Sequence, residues 1–216
     1  MALFAVIGLG SFGGTVALEL TQLNHDVIGI DALKKNVENI ADRISHAVIA
    51  DATDEHVLTE LNIKNCDAVV VAIGDDIEAS ILCVLHLKTL GIKQILVKAK
   101  SQAHHMILSH LGIEQIIHPE EDMGIRIAQS LSYPMVSRYM ALNNERYIVK
   151  IEIASNLQGA QFKTLMDESN EIQTLLLQRG SHVLYQIAPG TILQEKDILI
   201  VEGPVEQLRQ LSNRFL

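Results

Sequence analysis

Tryptophan is absent from the 216 residues, and aromatic side chains make up only 4%. An interior must therefore be aliphatic, and the material for one is present, since 48% of the chain is hydrophobic. Only two cysteines occur, Cys66 and Cys83, too few for a disulfide framework and not in a metal-ligand spacing. Both read as small buried apolar residues. No run approaches the roughly 18 apolar residues of a membrane span. The start, Met1-Ala2-Leu3-Phe4-Ala5-Val6-Ile7-Gly8, lacks the basic segment and cleavage site of a signal peptide. The expectation is a cytoplasmic protein with no direct membrane insertion. Basic side chains are outnumbered, 17 against 26, and the net charge is −9. Without a large basic stripe, neither a nucleic-acid backbone nor an anionic membrane surface is a suitable partner. Low-complexity sequence is also missing, and the composition excludes disorder as the main state.

What is present has a clear order. The first 118 residues alternate two periods. Short Val- and Ile-rich runs fall at 3–7, 27–30, 47–50, 68–73, 95–97 and 115–117. They lack polar alternation, which suits parallel strands covered on both faces. Between them, 12–23, 55–61, 77–90 and 103–111 carry apolar residues at helical spacing. Six strand–helix repeats predict an α/β fold, a Rossmann-like doubly wound parallel sheet.

The pattern changes after Pro119. Residues 120–132 read as a helix, interrupted by Tyr133-Pro134, and 136–142 as another short helix. Strands are expected at 148–153, 174–177, 183–187 and 197–201, with a closing helix at 205–215. Pro189-Gly190-Thr191 and Glu202-Gly203-Pro204 are turn signals. The chain thus divides into a nucleotide-binding domain at 1–134 and a small α+β domain at 135–216. The latter is near the lower size for independent folding, and such domains often dimerise to complete a core.

Gly8-Leu9-Gly10-Ser11-Phe12-Gly13 is G-x-G-x-x-G between the first strand and the first helix. Gly8 makes the tight turn, Gly10 admits a pyrophosphate, and Gly13 lets the helix pack close to the sheet. Ser11 and Phe12 open that helix, whose free N–H groups suit phosphate. Asp31 ends the second strand 18 residues after Gly13, where an acid hydrogen-bonds ribose hydroxyls. Lys34 and Lys35 leave an opening for NADP, or start a solvated helix. Asp51 and Ala52 follow the third strand, beside the adenine position. Asp51 reads as an acceptor for the adenine amino group, or equally as an N-cap or turn residue. Ile73 and Gly74 end the fourth strand at the lip of the same cleft and offer backbone contacts. Gly74 there needs close backbone approach or a positive φ, and Asp76 is a candidate cap.

Lys98 and Lys100 follow the fifth strand, within reach of phosphate or in solvent. His104, His105 and His110 lie on one expected helix, but 105 and 110 are not spaced to share a face. His118-Pro119-Glu120-Glu121-Asp122 puts three acids in a first helical turn, which the helix dipole favours. Glu120 has a second reading, aimed at a neighbouring subunit's nucleotide. Catalytic sets are missing: there is no Ser/His/Asp set with a nucleophile elbow and no HExxH. Tyr147 and Lys150 sit three apart in an expected strand, on opposite faces. A dehydrogenase needs an acid or base in its substrate cleft, and the second unit offers none.

Together these segments resemble the RCK family, whose domains regulate potassium channels and transporters. The resemblance rests on Val6 through Gly14, Ile30-Asp31, Asp51-Ala52-Thr53, Val71-Ala72-Ile73-Gly74, Val97-Lys98-Ala99 and Ile117 through Gly124. Pro189-Gly190-Thr191 and Asp197 through Gly203 resemble the small RCK C-lobe. With one N-lobe and one C-lobe, the chain is most similar to the cytosolic subunit of a Ktr-type potassium transporter; the tandem Trk-type subunit is about twice as long. The resemblance implies a homodimer, within a larger even-numbered ring, that binds ATP, ADP or NAD(H) and acts on a membrane potassium transporter subunit. It implies that Gly8, Gly10 and Gly13 cradle phosphates, that Asp31 holds ribose, and that Glu120 helps bind Mg²⁺ at the nucleotide. It places the protein at the inner face of the membrane, held through its partner, and implies no enzyme activity. Two departures stand out. Ser11 replaces the Arg that Ktr-type subunits carry against a γ-phosphate. After Leu157-Gln158-Gly159, Phe162 through Glu168 lacks the basic residue of C-lobes that bind cyclic di-AMP. The rival readings are an NAD-dependent oxidoreductase and an NAD(H)-responsive regulator outside ion transport.

Overall fold

A strand, β1 (Leu3–Ile7), runs into a helix, α1 (Ser11–Gln22), and this strand–helix step repeats along the first half of the chain. The computed structural model describes residues 1–132, 136–142, 146–166 and 171–214. They form two compact units, Met1–Asp122 and Met123–Leu216. The first continues through β2 (Asp26–Asp31), α2 (Lys34–Glu38), β3 (His46–Ile49), α3 (Glu55–Glu60), β4 (Ala68–Val71), α4 (Ile77–Thr89), β5 (Ile95–Lys98), α5 (Gln102–His110) and β6 (Gln115–Ile117). Its six strands are parallel in the order β3-β2-β1-β4-β5-β6. This is the doubly wound order, with its reversal between β1 and β4.

The absence of polar alternation has a direct cause. Along β1, Ala5 and Ile7 enter a core cluster with Cys83, Val84, Leu87 and Leu108. Val6, between them, enters a second cluster with Ala17 and Val37. Helices cover both faces, so every position of β1 is apolar. Cys66 and Cys83 are buried there as expected, and burial pushes their thiols up to about 11 and about 12.

The helix α6 (Pro119–Ser132) is followed by β7 (Val136–Ala141), β8 (Arg146–Glu152), α7 (Phe162–Met166), β9 (Gln173–Arg179), β10 (His182–Leu184), β11 (Ile198–Pro204) and α8 (Val205–Arg214). The five strands form an antiparallel sheet, β10-β9-β11-β8-β7. Leu199 and Val201 alternate inward along β11 and pack with Leu165, Leu208 and Leu211. Burial on one face restores the period of two. The expected break at Tyr133-Pro134 and the last residue of the closing helix, Phe215, lie outside the described residues.

Two expectations are corrected. Glu202-Gly203-Pro204, read as a turn signal, forms the end of β11 opposite Ile148, Tyr147 and Arg146, with Pro204 closing the strand just before α8. Residues 136–142 were expected to form a short helix, and 136–141 form the edge strand β7. Val136 stands opposite Ile151 and Tyr139 opposite Val149, with a register shift between Val136 and Arg138. A bulge inserts one extra residue. A spacing of three then matches a spacing of two on the partner strand, which imitates helical periodicity.

Candidate nucleotide-binding site

The glycine loop joins β1 to α1 beside the end of β4. Gly8 has φ +91°, and a Cβ there would lie 2.9 Å from the Ala72 carbonyl carbon. Its N–H donates to the Ile30 carbonyl at 2.8 Å. At Gly13 a Cβ would lie 1.9 Å from the Gly8 carbonyl oxygen and 2.9 Å from the Ala72 Cβ. These two glycines are explained by the chain's own turn and packing. Gly10 is different. Its backbone is extended, with φ −63° and ψ −168°, and a Cβ would meet nothing within 4 Å. Neither backbone strain nor a protein neighbour requires glycine there.

The helix α1 is also left open at its start. Asp54 caps α3, Asp76 caps α4 and Ser101 caps α5, each accepting from a first-turn N–H. No side chain caps α1, and its first turn has no acidic residue. A helix start with uncapped N–H groups and an absent side chain beside it suits a phosphate group. The residues present therefore fit the nucleotide that the motif implies.

Asp31 does more than its position in the sequence indicates. Its Oδ2 accepts from the Leu9 N–H at 2.7 Å and from Asn36 Nδ2 at 3.0 Å, and its Oδ1 from the Leu33 N–H at 2.7 Å. The carboxylate ties the glycine loop to the end of β2. Three of its roughly four lone-pair positions are taken, so one remains for a ribose hydroxyl. Asp51 adopts the turn reading: its Oδ1 accepts from the Thr53 N–H at 2.9 Å and the Thr53 hydroxyl at 2.7 Å. Those bonds hold its pKa below the ordinary value. Asp54, not Asp51, is the N-cap of α3. Ala52 is buried in the core, so only its backbone can face a ligand.

Ile73 packs against the same core. Gly74 does not have a positive φ. The approach made there is by Lys98, whose Nζ lies 3.1 Å from where a Gly74 Cβ would be. The same ammonium lies 6.0 Å from the centre of the Phe12 ring and forms an ion pair with Glu120 at the start of α6. The fold thus brings together Phe12, Gly74, Lys98 and Glu120. The Lys98 hydrogen bond holds the Glu120 carboxyl below the ordinary range. Lys100 pairs instead with Asp75 at 3.3 Å. Lys34 opens α2 and pairs with Glu38 at 3.3 Å.

One pairing is not legible in the sequence. His105 Nδ1 and His118 Nε2 lie 2.9 Å apart with stacked rings. No local signal connects a helix residue with one thirteen positions later. His104 is buried, and burial, with His118 nearby, lowers its pKa. Among the described residues no group of three His, Cys, Asp or Glu is placed to hold a metal ion. In the second unit, Leu157, Phe162, Leu165 and Met166 pack into the core; Asp167 and Glu168 lie outside the described residues.

The TrkA-N domain family matches residues 4–119. Ktr system potassium uptake protein A of Bacillus subtilis (strain 168) is 39% identical over 211 residues, covering 97% of this chain and 95% of that one. Ktr system potassium uptake protein C of the same organism is 40% identical over 217 residues, covering 99% and 97%. Among solved structures, the GsuK RCK domain superposes with a TM-score of 0.65 and 15% identity over 99% of this chain. This chain spans about half of that one, 47%. A GsuK channel bound to NAD superposes with a TM-score of 0.61 and 14% identity, covering 99% of this chain and 39% of that one. At those identities the likeness is one of fold.

Proposed function

The chain belongs to the TrkA-N domain family, beside the Ktr potassium uptake proteins A and C, and from that premise we propose that it is a nucleotide-sensing regulatory subunit of a potassium uptake system. Its relatives are transport proteins, and the chain is read with them as a regulator and not an enzyme. Among the described residues no helix is long and apolar enough to cross a membrane; in keeping with the Ktr relatives, the pore would belong to a partner and this subunit would work from its cytoplasmic side. The observation that carries nucleotide binding is Gly10, a glycine required by neither backbone nor packing at an uncapped helix start. The bound group is ATP, ADP or NAD(H), the last in keeping with the GsuK channel solved with NAD. Gly8, Gly10, Ser11, Phe12 and Gly13 would line its phosphates, and Asp31 would accept from ribose. Asp51, Ala52, Ile73 and Gly74 would flank the adenosine, Lys98 would face phosphate, and Glu120 is the residue for an accompanying Mg²⁺.

A bound nucleotide would act by differential affinity for two arrangements of the assembled subunits, shifting their populations and with them the state of the pore. Calorimetric titration of the purified chain with ATP, ADP, NAD⁺ and NADH tests the reading: micromolar binding of at least one is expected, and no binding of any would refute it. Ser11 adds a finer expectation. An Arg there would offer a charged fork to a terminal phosphate, a difference of roughly 1.5–3 kcal/mol. Without Mg²⁺ the wild type should separate ATP from ADP by less than tenfold, and Ser11→Arg should widen that ratio.

Assembly follows from α6. Met123, Ile127 and Leu131, four apart, are 52%, 52% and 76% exposed. This stripe would be covered by a second copy. Light scattering at micromolar protein should give at least twice the chain mass, and Ile127→Glu should lower it. A wild-type mass of one chain, with and without nucleotide, would refute the assembly.

A further inference from the structure

The ion pair between Lys98 and Glu120 joins the end of β5 to the first turn of α6, and its two ends are unequal. The Lys98 side chain is 13% exposed, whereas that of Glu120 is 70% exposed. The ammonium is therefore the enclosed end, and the carboxylate reaches it from the water side. Where that ammonium sits has two supports. It lies 6.0 Å from the ring centre of Phe12, in the first turn of α1. It also lies 3.1 Å from where a Gly74 Cβ would be, a tight contact, and Gly74 has no positive φ to explain its glycine otherwise. The chain keeps room for a lysine head group at the end of β4, beside the point where the strand order reverses and anionic ligands enter.

Nearby, Lys100 pairs with Asp75, and the Glu121 carboxylate lies 3.9 Å from the His118 ring. The first turn of α1 holds no acidic side chain, and Ser11 brings no charge. An anion arriving at the glycine loop finds Lys98, and finds it already neutralised by a carboxylate.

We infer that Glu120 is a built-in stand-in for a phosphate: its carboxylate and the terminal phosphate of a bound nucleotide compete for the ammonium of Lys98, so that binding of a nucleotide without a divalent cation releases the start of α6. This inference rests on the nucleotide-binding reading and adds its coupling. A carboxylate and a phosphate oxygen both accept charge-assisted hydrogen bonds from an ammonium. The phosphate carries more charge, and the exposed carboxylate loses little on returning to water. Ligand binding and the Lys98–Glu120 pair are then linked reciprocally: what weakens the pair strengthens binding, by the same factor. The released helix start is the one preceding the stripe of Met123, Ile127 and Leu131.

The experiment is a double-mutant cycle on the full chain, reading ADP and ATP affinity by calorimetry in EDTA, where no divalent cation competes for the carboxylate. Glu120→Gln should tighten ADP binding about two- to fivefold, the size of an exposed ion pair. Lys98→Gln should weaken it by tenfold or more. In the Lys98→Gln background, Glu120→Gln should change nothing, since the competition is then gone. Hydrogen exchange gives a second readout that does not depend on affinity. Amide exchange over residues 122–126 should rise on ADP addition in the wild type. In Glu120→Gln it should be raised already, with no further rise. Unchanged or weaker ADP binding by Glu120→Gln overturns the inference, as does a gain that persists without Lys98. If the wild type binds, Gly10→Val does not, and Glu120→Gln is neutral, this inference falls and the nucleotide-binding reading stands. If the wild type binds no nucleotide, both fall.

Discussion

Gly10→Val is expected to leave the chain folded while lowering its affinity for ADP by more than 100-fold. The backbone at Gly10 is extended, with φ −63° and ψ −168°, a conformation that valine adopts. Beyond its two chain neighbours, no described residue comes within 4 Å of where the new Cβ would stand. The cost to the fold is therefore that of an apolar helix cap, about 1 kcal/mol. A phosphate at the same place would be displaced from the first-turn N–H groups of α1. Losing two charge-assisted hydrogen bonds at roughly 1.5–3 kcal/mol each exceeds 100-fold. Gly13→Ala, one turn along, should do the reverse. Its Cβ would meet the Gly8 carbonyl oxygen at 1.9 Å, a backbone atom that no rotamer change can move aside. The destabilisation should exceed about 3 kcal/mol, beyond the usual range for overpacking, and melting should fall by roughly 6–12 °C. Circular dichroism with calorimetry separates the two variants. Equal melting losses in both, or wild-type ADP affinity in Gly10→Val, would contradict the geometry.

The second large effect belongs to the other unit. Asp197 is 1% exposed. Its Oδ1 accepts from Arg179 Nε at 2.8 Å, and its Oδ2 from Arg179 Nη2 at 2.6 Å and from the Gln194 N–H at 2.9 Å. Arg179→Met removes the charge and leaves a buried carboxylate with one donor. Breaking such a pair from one side costs about 3–5 kcal/mol. All four tyrosines, Tyr133, Tyr139, Tyr147 and Tyr185, come after residue 132, and there is no tryptophan. Tyrosine fluorescence during urea unfolding therefore reports this unit without interference from the first. The pH dependence gives a sign to check. Burial works to raise the Asp197 pKa, but the Arg179 bonds and charge, with the Gln194 N–H, outweigh it and hold it below the ordinary value. A carboxyl lowered on folding contributes its stability above the unfolded pKa, about 3.9, and loses it as pH falls through the folded value. In Arg179→Met the carboxyl lacks that support. The stability gap between the two proteins should be widest near pH 7 and narrow below about pH 4. A gap independent of pH would mean that the loss is one of packing.

Much of the first unit is legible in the sequence because its signals are local. The strands expected at 3–7 and 115–117 have their observed limits, and the others agree within a few residues, since burial on both faces leaves unbroken Val and Ile runs. The glycine loop is legible for the same reason: turn and helix start are properties of six consecutive residues, and the glycines mark where the loop must pack closely, though not that Ala72 is the neighbour. The second unit is less legible where pairing, not propensity, decides. Residues 136–141 carry a spacing of three, and only the register opposite Ile151 and Val149 makes that a bulged strand.

What the sequence alone determined was the α/β class, the division into a Rossmann-like unit and a small α+β unit, and the place of the glycine turn between β1 and α1. It also determined, by side chains it omits, that the core is aliphatic and that no disulfide framework holds it. The tertiary structure decided which side chains meet. Asp31 closes on Leu9, Leu33 and Asn36, Lys98 spans Gly74, Phe12 and Glu120, and His105 stacks on His118. Apart from the local bonds of Asp31 to Leu33 and Asn36, these contacts join residues of separate elements, which meet only when the sheet and its helices pack. A periodicity reports which face of an element is buried. It carries no information about which distant element will cover it, because that depends on strand order and register, and these are settled by packing of the whole unit.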